Sequence, residues 1–122
     1  MTIRMMLAGV AAAGLMAFPA MADDGQYGPP LRQMLADAAE GSCNEGLMAP
    51  GLLNACQGQI AGMAPGLQAL GAIESMTFVN AQDTPDGRVE TWSVKFAGGQ
   101  TRTWFIGQQQ PDGRFNAAGT GG

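Results

Sequence analysis

The 122-residue chain has no histidine. That removes the commonest general base, the commonest metal ligand and the side chain that ordinarily changes charge near neutral pH. It also excludes Ser-His-Asp and Cys-His catalysis within one chain. Basic residues are few, six against ten acidic ones, and they are nowhere clustered. Such a chain lacks the basic patch that neutralises nucleic-acid phosphates and any Lys/Arg cluster for anionic lipid. Cys43 and Cys56 are the two cysteines, at a spacing far from CxxC, which argues against a redox pair. As metal ligands they would lack His or further Cys partners. The apolar run Met5–Phe18 is short of the roughly 20 residues that a bilayer-spanning helix needs.

That run has another reading. Arg4 precedes it, and Ala20-Met21-Ala22 followed by Asp23-Asp24 closes it. A charged start, an apolar middle and a small-x-small box make a secretory signal peptide over 1–22, cleaved after Ala22. The short run argues against a membrane anchor, and no cysteine near the box offers a lipoprotein anchor. Cleavage leaves five basic residues against ten acidic ones and moves the net charge from −4 to −5. The protein is therefore expected in the periplasm or outside the cell. An even cysteine count in an exported chain predicts one disulfide, Cys43–Cys56, contributing roughly 3 kcal/mol. Five of the nine methionines fall in the export segment. Met34, Met48, Met63 and Met76 remain at apolar positions and read as core filler. Copper handling through thioethers is the sharper alternative, and no MxM or MxxM cluster supports it. Nothing in the sequence calls for a cofactor.

Three segments follow the export signal: a leader arm over 23–30, one domain over 31–118 and a flexible tail over 119–122. Leu31, Met34, Leu35, Ala38 and Ala39 recur at helical spacing, with Gly41 placed as a stop, which predicts a helix over about 30–40. The pentapeptide Met-Ala-Pro-Gly-Leu then occurs twice, at 48–52 and 63–67. Pro50 is expected to open a short helix to about Gln57, and Pro65 to open or kink a second.

From Ala72 the period changes to two. Strands are expected over 73–81, 88–96, 100–108 and 114–118. In the second, Trp92, Val94 and Phe96 alternate with Thr91, Ser93 and Lys95. Gly98-Gly99 signals a hairpin, and Pro-Asp-Gly-Arg appears at 85–88 and again at 111–114 as turn chemistry. The Arg after each turn is expected to be solvated. Helices followed by an antiparallel meander make an α+β domain, with two or three helices packed on a curved sheet of three to four strands.

Leu70–Val79, Glu90–Phe96, Thr103–Gly107 and Pro111–Arg114 together resemble a small exported bacterial domain. Its pattern runs LG-x-hydrophobic-x-S-x-x-F, Y-x-V-x-F-x-x-G, W-x-I and D-G-K-I. It is also found appended to exported serine hydrolases of the β-lactamase type. The resemblance covers about 31–118 and implies a cystatin-like or nuclear-transport-factor-2-like fold. It implies no catalytic residue, since the hydrolase chemistry lives in a separate domain. The small, polar close Asn116–Gly122 departs from the pattern.

Three functions compete. A non-catalytic binding or interaction module would use the hollow under the helices for a small apolar ligand, or a sheet face for a protein partner or a second copy. Trp92, Phe96 and Trp104 are the candidate pocket or interface residues. An isomerase- or cyclase-like enzyme would need a pocket carboxylate as base. Glu90 shares parity with Trp92 and is the best of Asp37, Glu74 and Glu90, although the plainer expectation for it is a solvated rim carboxylate. An inhibitor or immunity-like protein is the third reading. Its acidic surface could steer to a basic target, but the Gln-x-Val-x-Gly loop of inhibitory cystatins is missing.

Overall fold

The computed structural model describes residues 25–120. The expected signal peptide over 1–22 lies outside the described residues. Among the described residues two helices pack on a four-stranded antiparallel sheet of order β1-β2-β3-β4, an α+β meander.

Helix α1 spans Gly28–Ala39. Pro29 and Pro30 sit in its first turn, where a missing N–H leaves no bond unmade. Leu31, Met34, Leu35 and Ala38 form the buried face. Gly41 ends the helix at φ +86°, and its N–H donates to the Ala38 carbonyl at 3.0 Å. Residues 23–24 of the expected leader arm over 23–30 lie outside the described residues, and over 25–30 the expectation is corrected, since the helix already begins at Gly28. From Gly25 onward the chain is packed, because Tyr27 and Gly28 are both buried.

Helix α2 spans Pro50–Leu70 as one continuous helix. The expected break at Pro65 does not occur. Proline there removes one helical hydrogen bond and crowds the carbonyl of Ala61. Leu52, Cys56, Ala64 and Leu67 are nonetheless buried, with Ile60, Met63 and Leu70 partly so. This stripe runs past Pro65 on one face, so burial on both sides of the proline holds the helix together. Asn116 caps its start. Ala49 at the N-cap has no side-chain acceptor, and Asn116 Oδ1 from the last strand accepts the Leu52 N–H at 3.2 Å. Gly51 permits that approach, since a Cβ there would lie 2.8 Å from Asn116 Oδ1.

The strands are β1 Ile73–Thr84, β2 Gly87–Phe96, β3 Thr101–Gln109 and β4 Phe115–Thr120. The expected loop over 83–87 contracts to a tight turn at Pro85-Asp86, with Asp83 paired to Arg88 and Thr84 to Gly87. The register of β1 on β2 shifts between Ile73 and Ser75 and again between Phe78 and Asn80; such irregularities bend an edge strand and blunt it as a template for pairing. Strand β4 continues past the expected end at 118. Gly119 and Thr120 pair with Phe105 and Trp104, so the expected flexible tail is corrected at these two positions. Gly119 carries no side chain because the Phe105 ring lies 3.1 Å from where its Cβ would be. A short parallel bridge ties Met48 to Phe115 and docks the segment before α2 against β4.

The core lies between the helices and one sheet face, where Trp92, Val94, Phe96, Trp104 and Ile106 are all buried. The outer face is mainly polar or small. Among the described residues Val79 is the one large apolar side chain that is exposed. A disulfide joins Cys43 to Cys56, with Cα atoms 6.0 Å apart, and pins the α1–α2 connection to the second turn of α2.

Two stability outcomes follow. Replacing both cysteines by serine is expected to lower unfolding free energy by about 2–4 kcal/mol in denaturant titrations under oxidising conditions. Asn116→Ala is expected to cost about 1 kcal/mol through the lost cap; an unchanged denaturation midpoint would show that this cap contributes nothing.

Candidate functional site

The residues singled out in the sequence divide into three places. Glu90 and Trp92 form one. Glu90 belongs to the inward parity of β2 and has no exposed surface. Its Oε1 accepts the N–H of Tyr27 at 2.8 Å, of Gln26 at 3.0 Å and the indole Nε1–H of Trp92 at 3.0 Å. Its Oε2 accepts Gln26 N–H at 2.8 Å and Arg88 Nε at 2.8 Å. The expectation of a solvated rim carboxylate is thus corrected. Arg88, expected to be solvated, is drawn half-buried onto Glu90 as an ion pair. Its counterpart in the second Pro-Asp-Gly-Arg copy, Arg114, instead folds back on Asp112 of its own turn.

Burial, the largest single influence, pushes the Glu90 carboxyl upward. The donors from Tyr27, Arg88, Gln26 and Trp92 together outweigh it and hold the group below its ordinary range. The carboxylate also lies at the N-terminal end of α1, where the helix dipole favours negative charge. Both oxygens are occupied by donors. A depressed, saturated carboxylate has no lone pair free to take a substrate proton, the opposite of what a pocket base requires. Trp92 closes the cluster. Its ring meets Phe78 edge-on at 5.5 Å and covers Gly25 and Gly28, where added Cβ atoms would lie 2.7 and 2.8 Å from it.

Phe96 lies apart, in a hollow between the end of α1, the end of α2 and the start of β1, beside Leu35, Leu67 and Ile73. Hydrogen bonds reach across its neighbourhood: Gln68 Nε2 donates to the Ala39 carbonyl at 2.6 Å and Arg32 Nη2 to the Ile73 carbonyl at 3.3 Å.

Trp104 reaches a different cavity, about 400 Å³ in volume. Leu31, Met34 and Leu35 of α1 form one wall, and Leu52, Cys56 and Met63 of α2 form another. Met48 and Ala118 contribute from the bridge region and β4, and Trp104 from β3. The exposed lining residues Ala55, Gln59 and Thr120 mark the mouth. Three of the four methionines outside the export segment therefore meet in one cavity, which their separation in sequence concealed. The Cys43–Cys56 bridge stands in the same wall. Trp92 and Trp104 are direct cross-strand partners, yet one ring seals the Glu90 cluster and the other lines the cavity.

Among the described residues, no group of three or more His, Cys, Asp or Glu side chains is placed to hold a metal ion, and no helix is long and apolar enough to cross a membrane. Comparisons with protein-family models, curated proteins and solved structures found no match to this chain.

The Glu90 cluster sets a pH dependence. A carboxylate held below its unfolded value contributes stability that is complete above the unfolded pKa, about 4.3, and is lost as pH falls through the folded value. Glu90→Gln is expected to cost about 2–4 kcal/mol at pH 7 by leaving buried donors and Arg88 without the charge they face. The gap between the variant and the parent should narrow as the pH falls below 4. A gap that stays constant across that window would show that the charge of Glu90 carries none of the effect.

Proposed function

We propose that the chain is an exported, non-catalytic binding module whose cavity between α1, α2 and the sheet takes a small apolar ligand. The observation that carries this reading is the cavity itself, about 400 Å³, walled by aliphatic, methionine and indole groups and open at one mouth. Ligand sites commonly fall in a range of about 300–1,000 Å³ with mainly apolar walls. Methionine suits such a wall because its unbranched, polarisable side chain adapts to differently shaped guests. The disulfide supports a periplasmic or extracellular location, being stable in an oxidising compartment.

The helix-on-meander arrangement supports the finer fold reading as a cystatin-like or nuclear-transport-factor-2-like domain. The polar outer face of the sheet favours the ligand over a protein partner or homodimer seated there. The isomerase-like alternative loses its best carboxylate, because Glu90 is saturated by donors.

Titration with the apolar fluorophore N-phenyl-1-naphthylamine tests the reading. Saturable enhancement is expected for the parent. Ala55→Trp, which adds bulk at an exposed rim position, should weaken it at least tenfold while leaving the melting temperature unchanged. Equal binding by both proteins would place the fluorophore elsewhere and remove the support for this cavity.

A further inference from the structure

The cavity opens beside an edge of the sheet. Strand β4 pairs with β3 and with no other strand of the sheet. The registers fix which of its backbone groups face outward. Phe96 N–H donates to the Gln100 carbonyl at 2.9 Å, so Phe96 and every second residue before it in β2 turn their backbone groups toward β3. Their partners Arg102, Trp104 and Ile106 turn toward β2, which leaves Phe105 and Gly107 facing β4. Phe105 and Gly107 pair with Gly119 and Ala117. Ala118 and Thr120 therefore point their N–H and C=O groups out from the edge. Among the described residues no backbone group outside the sheet pairs with them. Thr120 is exposed and Ala118 half-buried, and both line the cavity.

The chain itself shows how this edge receives an extended neighbour. Phe115, earlier in β4, takes the segment 47–49 as a short parallel partner. Its N–H donates to the Leu47 carbonyl and its carbonyl accepts the Ala49 N–H, each at 2.8 Å. Met48, held between those two bonds, is buried and lines the cavity. A segment paired at Ala118 would present a side chain in the same way, because cross-strand partners share one face of a sheet and Ala118 lines the cavity. Unpaired edges are ordinarily guarded by charge, proline or bulges. Strand β1, the opposite edge, has two register shifts and the charges of Glu74 and Asp83. Strand β4 has neither charge nor proline. No charged residue lines the cavity, so a charged side chain inserted there would be desolvated and unpaired.

We infer that β4 takes an extended, uncharged peptide segment as an added strand, paired to the backbone of Ala118 and Thr120, and that the cavity receives one large apolar side chain of that segment. This inference rests on the reading of the cavity as an apolar binding site and adds how the guest is presented. Backbone pairing supplies orientation and is indifferent to sequence. The methionine and leucine walls select a large apolar side chain at one position.

The capped peptide Ac-Thr-Thr-Leu-Thr-Thr-NH2 tests it, beside the same peptide with alanine at its centre. In the parent, amide hydrogen exchange at Ala118 and Thr120 is expected to slow on addition of the leucine peptide, while the amides of the opposite edge strand β1 keep their rates. The alanine peptide should bind about tenfold more weakly or worse, since it lacks the apolar surface that the cavity buries. Thr120→Pro removes an outward N–H that the ladder to β3 does not use, at a position where an edge strand accepts proline. It is expected to weaken the leucine peptide about five- to tenfold, the worth of one neutral hydrogen bond, and to change N-phenyl-1-naphthylamine binding less than about twofold. If the fluorophore binds but the leucine peptide does not, or the peptide binds without slowing exchange at Ala118 and Thr120, the inference is overturned while the cavity remains a binding site. If neither binds the parent, the ligand-site reading fails and the inference fails with it. A dimer in which both amides are already protected without peptide would give this edge to a second copy and overturn the inference. Exchange in the parent decides the question even if the variant does not fold.

Discussion

One carboxylate holds the two ends of this fold's logic together. Glu90 sits in the middle of the sheet with no exposed surface and takes donors from two places far apart in the chain. The backbone N–H groups of Gln26 and Tyr27 come from the start of α1, and the side chains of Arg88 and Trp92 come from its own strand. A buried charge without such partners would be strongly destabilising. With them it fixes where α1 begins, and thereby which face α1 presents to the sheet. Trp92 can lie over the arm because Gly25 and Gly28 leave room for it. The first residues before α1 are thus held by a charge, although their composition suggests a loose lead-in.

The rest of the molecule follows from that anchoring. With α1 placed, Leu31, Met34 and Leu35 face α2 across a gap that the side chains do not fill. The opposite side of the gap is set by α2, which is held at its start by Asn116 and near its second turn by the disulfide. The same Met-Ala-Pro-Gly-Leu pentapeptide serves two ends here. At 48–52 its glycine admits the Asn116 cap, whereas at 63–67 it lies inside a running helix with its proline tolerated. Local sequence is identical in the two copies. The neighbours brought by the sheet decide the difference.

The same lesson holds for the two Pro-Asp-Gly-Arg turns. Both make turns, as their Pro, Asp and Gly chemistry requires. Arg114 closes on Asp112 within its own turn, while Arg88 is two residues from a buried glutamate and is pulled onto it. A signal for this was present in the chain: Arg88, Glu90, Trp92, Val94 and Phe96 share one strand parity, and that parity is the apolar one. Placing a Glu–Arg pair on the buried face follows from it, provided the missing donors are supplied from elsewhere. Those donors are backbone groups of a segment more than sixty positions away, and backbone groups leave no mark in residue identity.

What the amino-acid sequence determined by itself was everything that depends on neighbours along the chain. The period of two from Ala72 onward marks the strands, helical spacing marks α1, Gly41 marks its stop, and paired turn residues mark the hairpins. The continuity of α2 was also written in its apolar stripe from Leu52 to Leu70, although Pro65 masked it. Tertiary structure alone decided the backbone donors that Glu90 meets, the ordering of 25–30, the inclusion of Gly119 and Thr120 in β4, and the cavity. The physical reason is common to all four. Each depends on groups brought together by the packing of α1, α2 and the sheet, and no local propensity encodes which buried donor will meet an acceptor. Glu90 received two of its four donors, the Gln26 and Tyr27 N–H groups, through that packing, and Trp104 was brought to the wall of the cavity.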